Sequence, residues 1–131
     1  MNAKLATPVL LAVLAAAPAL AQADAAKPPV CRSLPPDIKE AMRNMSYCIT
    51  NPNPIPECAR AGMDVQVYNN DPAKLPRAAR GQQYWEGKIR KDDGAAGERR
   101  LVYLVTMGER KNVVAMRYYT PDHYRTFCEI Q

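Results

Sequence analysis

The chain has 131 residues, 47% of them hydrophobic and 24% charged, which is enough for one compact domain and excludes a multidomain enzyme. Eighteen Lys and Arg against 13 Asp and Glu give a formal net charge of +5, a bias toward an anionic partner and away from an acidic disordered tail. A single His and four Cys with no C-x-x-C spacing disfavour a zinc site, so no metal is expected.

Residues 1–23 read as a secretory signal peptide. Lys4 precedes the stretch Leu5 to Leu20, which is apolar apart from Thr7 and closes on the small-residue patterns Ala19-Leu20-Ala21 and Ala21-Gln22-Ala23. Pro8 and Pro18 interrupt this stretch, and it falls short of the roughly 18 to 20 apolar residues of a membrane span. Cleavage would leave residues 24–131 as the mature domain, secreted or periplasmic and free of the membrane. It would remove Lys4 and no acid, taking the charge from +5 to +4.

Export makes disulfides the expected state of the cysteines. Four thiols allow three pairings. The favoured one joins Cys31 to Cys128, tying the ends of the mature domain, and Cys48 to Cys58, closing a short proline-rich loop. The long bridge removes the most chain entropy, about 4 to 5 kcal/mol in the loop-closure model.

Asp24 to Pro29 is a small lead-in, and Leu34-Pro35-Pro36-Asp37 has the proline and acid of a helix start. Ile38, Ala41, Met42 and Met45 recur at helical spacing, predicting an amphipathic helix over Asp37 to Cys48 with its methionines as core filler. Three prolines between Asn51 and Pro56 predict a loop, followed by a helical turn over Glu57 to Ala61. Val65 and Val67 predict a short strand entering the turn Asn69-Asn70-Asp71-Pro72. Beyond Gly81, strands are predicted over Gln83 to Arg90, Arg99 to Met107, Val113 to Tyr119 and Tyr124 to Ile130, separated by turn signals at Asp92 to Gly97, Gly108 to Asn112 and Thr120 to Asp122. A helix followed by consecutive strands implies an α+β domain, an N-terminal helix packed on an antiparallel sheet and stapled by disulfides.

Three polar residues fall on or beside different strands: Glu86, Arg100 and His123. A carboxylate, a guanidinium and an imidazole on one face would supply a base, an anion clamp and an acid, although composition alone makes Glu86 a solvated strand residue and a single His structural or exposed.

The run Tyr119-Thr120-Pro121-Asp122-His123-Tyr124-Arg125-Thr126-Phe127 closely resembles the C-terminal signature of the bacterial guanyl-preferring, barnase-like microbial ribonucleases. Further pieces fall in the same order: Val30-Cys31-Arg32-Ser33-Leu34-Pro35-Pro36 at the helix entry, Val67-Tyr68-Asn69-Asn70 with Leu75-Pro76 at the guanine-binding loop, Trp85-Glu86 on the strand of the catalytic carboxylate, and Arg100-Leu101-Val102-Tyr103 on the strand of the phosphate-binding arginine. The resemblance covers most of residues 30 to 131. It implies the microbial ribonuclease fold and a monomeric, cofactor-free endoribonuclease that cuts single-stranded RNA 3′ of guanosine through a 2′,3′-cyclic phosphate. Glu86, Arg100 and His123 would be catalytic, Tyr124 phosphate-binding, and Tyr68, Asn69, Asn70 and Asp71 base-binding. An acidic intracellular inhibitor protein is implied as partner in the same way. The competing expectation is a catalytically silent exported module of the same fold that binds RNA or another anion.

Two positions depart from the family pattern. Pro72 stands where members carry the glutamate that accepts hydrogen bonds from guanine, which leaves Asp71 as the nearest carboxylate. Ala96 stands where they carry a second arginine, which leaves Lys88, Arg90 or Arg99 to supply the charge. Tyr84, Trp85, Tyr103 and Tyr118 lie within strand patterns and are expected to pack the core.

Overall fold

The computed structural model describes residues 25–131 and the isolated positions 12 and 15–17; the expected leader over residues 1–23 otherwise lies outside the described residues. Two helices, α1 (Pro36–Cys48) and α2 (Pro54–Arg60), precede five strands: β1 (Val65–Val67), β2 (Gln82–Lys88), β3 (Arg100–Thr106), β4 (Val113–Thr120) and β5 (Cys128–Ile130). The strands form one antiparallel sheet in sequence order. No helix among the described residues is long and apolar enough to cross a membrane.

Alternation along β2 and β3 decides what each sheet face does. Trp85, Leu101, Tyr103 and Val105 meet Ile38, Ala41 and Met45 of α1 in the larger core. The intervening positions, Tyr84, Val102 and Leu104, join Tyr118, Leu75 and Phe127 in a second cluster on the opposite face. Helix α1 lies close to the sheet because residue 87 is glycine: a Cβ there would stand 2.8 Å from the Met45 sulfur and 3.0 Å from the Met63 methyl. Tyr84, Trp85, Tyr103 and Tyr118 are all buried in these clusters.

Helix α2 begins three residues earlier than its composition suggests. Pro54 occupies the first helical turn, where the missing N–H has no helical acceptor to lose and the fixed φ suits the helix. The strand predicted over Tyr124 to Ile130 is instead only β5, from Cys128. His123 and Tyr124 have φ of +53° and +70°, so the chain turns back before pairing resumes. Disulfides join Cys31 to Cys128, 97 residues apart, and Cys48 to Cys58, 10 apart.

Asn112, expected only as part of a turn, is completely buried. Its amide donates to the carbonyls of Ile49 and Asn51 at 3.2 and 2.7 Å and its Oδ1 accepts from Gly108 N–H at 3.1 Å, fastening the β3–β4 turn to the α1–α2 connection. Asn112→Ala leaves these buried groups unpaired and is expected to cost about 2 to 4 kcal/mol in urea unfolding, several times a surface substitution.

Arg99 ties β3 to the start of α1 through Asp37, at 2.7 Å. The hydrogen bond and charge of Arg99 hold the Asp37 carboxyl below its ordinary value of 3.8 despite some desolvation. A depressed folded-state value means the stabilisation is complete above pH 4 or so and disappears as pH falls through the folded value. Because both partners are partly exposed, Asp37→Asn is expected to lose under about 1 kcal/mol at neutral pH and nothing in strong acid, read from unfolding curves at both ends.

Candidate active site

The sheet face opposite α1 carries the polar chemistry. Register places Gln66 of β1 opposite Glu86, Glu86 opposite Val102, Lys88 opposite Arg100, and Arg100 opposite Thr120. Glu86 is only 2% exposed, so it is not the solvated strand residue that composition suggests. A carboxylate so placed needs protein donors. It has two: the Gln66 amide donates to one oxygen and the Tyr124 hydroxyl to the other. Each oxygen keeps a further lone pair for a substrate proton. Burial, then the hydrogen bond to Glu86, push the Tyr124 phenol up to about 12, so it remains a donor across the physiological range.

His123 and Tyr124 are presented by a turn built from the neighbouring polar residues. Thr120 Oγ1 accepts from Tyr124 N–H at 3.0 Å and donates to Asp122 at 3.1 Å. The Asp122 carboxylate in turn accepts from the Thr126 N–H and hydroxyl at 2.8 and 2.7 Å. Desolvation opposes ionisation of Asp122, but the Thr126 and Thr120 hydrogen bonds outweigh it and hold the carboxyl below its ordinary value. A further bond from His123 N–H to the Glu98 carbonyl, 2.8 Å, docks the turn against the β2–β3 connection. These bonds support two consecutive non-glycine residues in the left-handed region, a conformation that costs on the order of 1 to 2 kcal/mol per residue. The His123 side chain is exposed, its ring 4.7 Å from that of Tyr124.

Glu86, His123 and Tyr124 line one cleft of about 450 Å³ with Gln66, Lys74 and the loop Tyr68 to Pro72. A larger hollow of about 740 Å³ shares that loop but has neither Glu86 nor His123 in its walls, so the reactive groups belong to the smaller one. Arg100 is not a wall of the cleft. It is 6% exposed, with its guanidinium carbon 6.0 Å from the Tyr124 ring centre. One end of the guanidinium donates to the carbonyls of Gly97 and Arg99 at 2.6 and 2.9 Å, which fixes its plane, while the buried Nε has no hydrogen-bond partner among the described residues.

The loop residues divide by role. Asn70, with φ of +53°, spends its side chain on the loop itself, accepting from the N–H groups of Lys74 and Leu75 and donating to the Leu75 carbonyl. Its side chain therefore shapes the loop. Asn69 and Asp71 are exposed on the cleft wall. Tyr68 stacks on Tyr124, ring centres 5.1 Å apart and planes at 20°. None of the three residues expected to replace the cation missing at Ala96 reaches the cleft: Lys88 pairs with Asp64 at 2.9 Å, Arg99 with Asp37, and Arg90 donates to the Gly94 carbonyl at 3.2 Å. The cation in the cleft wall is Lys74.

Gln66 and Lys74 escape a sequence reading, since a Gln between two valines looks like the solvated side of a strand and a Lys in a turn looks like an ordinary surface charge. Pairing Val67 with Trp85, which the structure shows, is the signal that sets Gln66 opposite Glu86.

Comparison with curated proteins finds no match. The family model described as ribonuclease matches residues 25–131, which include every element of the sheet and every residue of the cleft. The chain therefore belongs to the ribonuclease family and is an RNA-cleaving enzyme with that family's α+β fold.

Proposed function

We propose that the protein is an exported endoribonuclease that cleaves single-stranded RNA by transesterification, with Glu86 as general base and His123 as general acid. The observation that carries this reading is the meeting of a buried, oriented carboxylate and an exposed imidazole in the walls of one cleft. Glu86 takes the proton of a ribose 2′-OH, whose oxygen attacks the adjacent phosphorus and expels the 5′-oxygen of the next nucleotide. The His123 imidazolium gives that oxygen its proton, and a 2′,3′-cyclic phosphate results. In the second step the roles reverse: His123 removes a proton from water, which opens the ring, and Glu86 returns a proton to the 2′-oxygen. Arg100, held flat by two backbone carbonyls behind the Tyr124 ring, supplies a fixed positive charge as negative charge grows on the phosphate oxygens. As Glu86 takes up the 2′-OH proton, Tyr124, kept protonated, turns its single O–H from that carboxylate to the phosphate. DNA supplies no 2′-OH and would bind without being cut.

For base choice, Asp71 is the carboxylate available in the cleft wall, and Pro72 offers neither a carboxylate nor an N–H. The base stacks on one of the two tyrosine rings in the cleft wall, Tyr68 or Tyr124, a contact every base can make. Guanosine is thus favoured through Asp71 over a background tolerant of other bases.

Glu86→Gln and His123→Ala are each expected to lower the cleavage rate of single-stranded RNA by about a hundredfold to ten-thousandfold with the fold intact, and the parent protein to release fragments ending in cyclic phosphate. Rates within a few fold of the parent in either variant would remove that residue from its role. Among four dinucleoside phosphates differing in the 5′ base, the guanosine compound is expected to be cut fastest. Asp71→Asn should erode its advantage by about 1 to 3 kcal/mol of discrimination; an unchanged ranking would dismiss Asp71 as the reader.

A further inference from the structure

Next to the catalytic cleft lies a hollow of about 380 Å³ lined by Lys27, Pro28, Pro29, Lys74, Arg125 and Phe127. Lys74 is a wall of both, so the two adjoin. Its three cations come from three distant parts of the chain, and each is placed by a different device.

Lys74 directs its ammonium to the backbone carbonyl of Arg125 at 3.4 Å. Arg125 follows the His123–Tyr124 turn directly, so the hydrogen bonds that set the imidazole also set where this guanidinium emerges. Lys27 belongs to an N-terminal strap held against β5. Glu129 N–H donates to the Pro29 carbonyl at 2.7 Å and Cys31 N–H to the Glu129 carbonyl at 2.9 Å, and the Cys31–Cys128 disulfide closes the end of the strap. The Glu129 carboxylate, whose side chain is only 8% exposed, stands 3.2 Å from the Lys27 ammonium, which remains 66% exposed. No carboxylate pairs with Lys74 or Arg125 among the described residues. The walls of this small hollow hold three cations and no carboxylate; Glu129 offsets Lys27 from beside it, and Asp122 offsets part of the Arg125 charge. Like charges gathered at this range repel, and an anion between them relieves that repulsion.

We propose that this hollow is a phosphate subsite of the RNA-binding surface. It takes a phosphodiester neighbouring the scissile one, with Lys27 and Arg125 as its ligands and Lys74 shared with the cleft. The nature of the strand rests on the ribonuclease reading above, while the anion chemistry does not. The long disulfide has a functional consequence on this account, because it fixes the strap that carries Lys27.

The test uses oligodeoxynucleotides, which cannot be cleaved by this chemistry, so that binding is read apart from turnover. Fluorescence anisotropy at several salt concentrations compares the oxidised parent with Lys27→Gln and Arg125→Gln, using a guanine-containing dinucleotide with one phosphodiester and a tetranucleotide with three. Each substitution is expected to weaken tetranucleotide binding several fold, to reduce the slope of log Kd against log salt by about 0.7, and to leave the dinucleotide unchanged. Arg125→Gln, at an exposed position, guards against a folding defect from unpairing Glu129. Tetranucleotide binding unaltered in both variants, or an equal loss for the dinucleotide, would overturn the subsite. Cleavage of an RNA dinucleotide by the same samples separates the two claims: a parent that binds the tetranucleotide through these residues but cuts nothing leaves the subsite standing and fails the catalytic reading.

Discussion

A carboxylate placed in the interior of a sheet has to be satisfied by the protein around it, and the arrangement of this molecule follows from that requirement at Glu86. With 2% of its surface exposed, Glu86 depends on donors from two other elements, Gln66 on β1 and Tyr124 in the turn before β5. The first edge strand and the last turn of the chain are thereby tied to the same side chain. The second core cluster, with Tyr84, Val102, Tyr118 and Phe127, covers the sheet beside it and excludes water from that side. A base oriented by two donors and partly dried meets a proton in one geometry, which is worth more in a transition state than the same carboxylate free to rotate in solvent.

The proposed acid is placed by the opposite means. His123 is open to solvent, and its position comes from the backbone rather than from packing around its ring. Thr120, Asp122 and Thr126 supply the hydrogen bonds that pay for two left-handed residues in succession. This gives physical content to the signature around His123, where three of its polar positions are structural supports for the one that carries chemistry. The exposed imidazole can exchange its proton with solvent between the two steps, as a group serving first as acid and then as base must.

Regular periodicity made much of this legible in the chain itself. Helix α1, the strands from Gln82 onward and both cysteine pairs follow from apolar spacing, turn residues and loop-closure entropy. Where local composition misleads, a distant partner has won. Tyr124 to Phe127 has the aromatic and β-branched character of a strand, but the side chains of Thr120 and Asp122 take its backbone N–H groups first. Asn112 looks like turn punctuation until the carbonyls of Ile49 and Asn51 are brought to it. Gln66 acquires its meaning only from register, 20 residues from the carboxylate it orients. Arg100 shows the same limit in another form: sequence places it on a strand, but not one layer behind Tyr124 with two of its five donors already committed to backbone.

The distribution of cations shows how a changed sequence can keep a polyanion site. Alanine at position 96 removes a charge beside the phosphate clamp, and the basic residues nearest in sequence do not replace it, because Arg99 and Lys88 are engaged with Asp37 and Asp64. Lys74 and Arg125, which form no salt bridge among the described residues, lie instead around the neighbouring hollow. Charge at a rim attracts the strand from a distance and holds its neighbouring phosphates, but contributes less to charge developing at the reacting phosphorus than a buried guanidinium does. On the proposed mechanism, transition-state stabilisation would therefore fall more heavily on Arg100, whose burial strengthens each hydrogen bond it makes, while in the proposed subsite affinity for the substrate would be carried by a surface that the long disulfide holds in place.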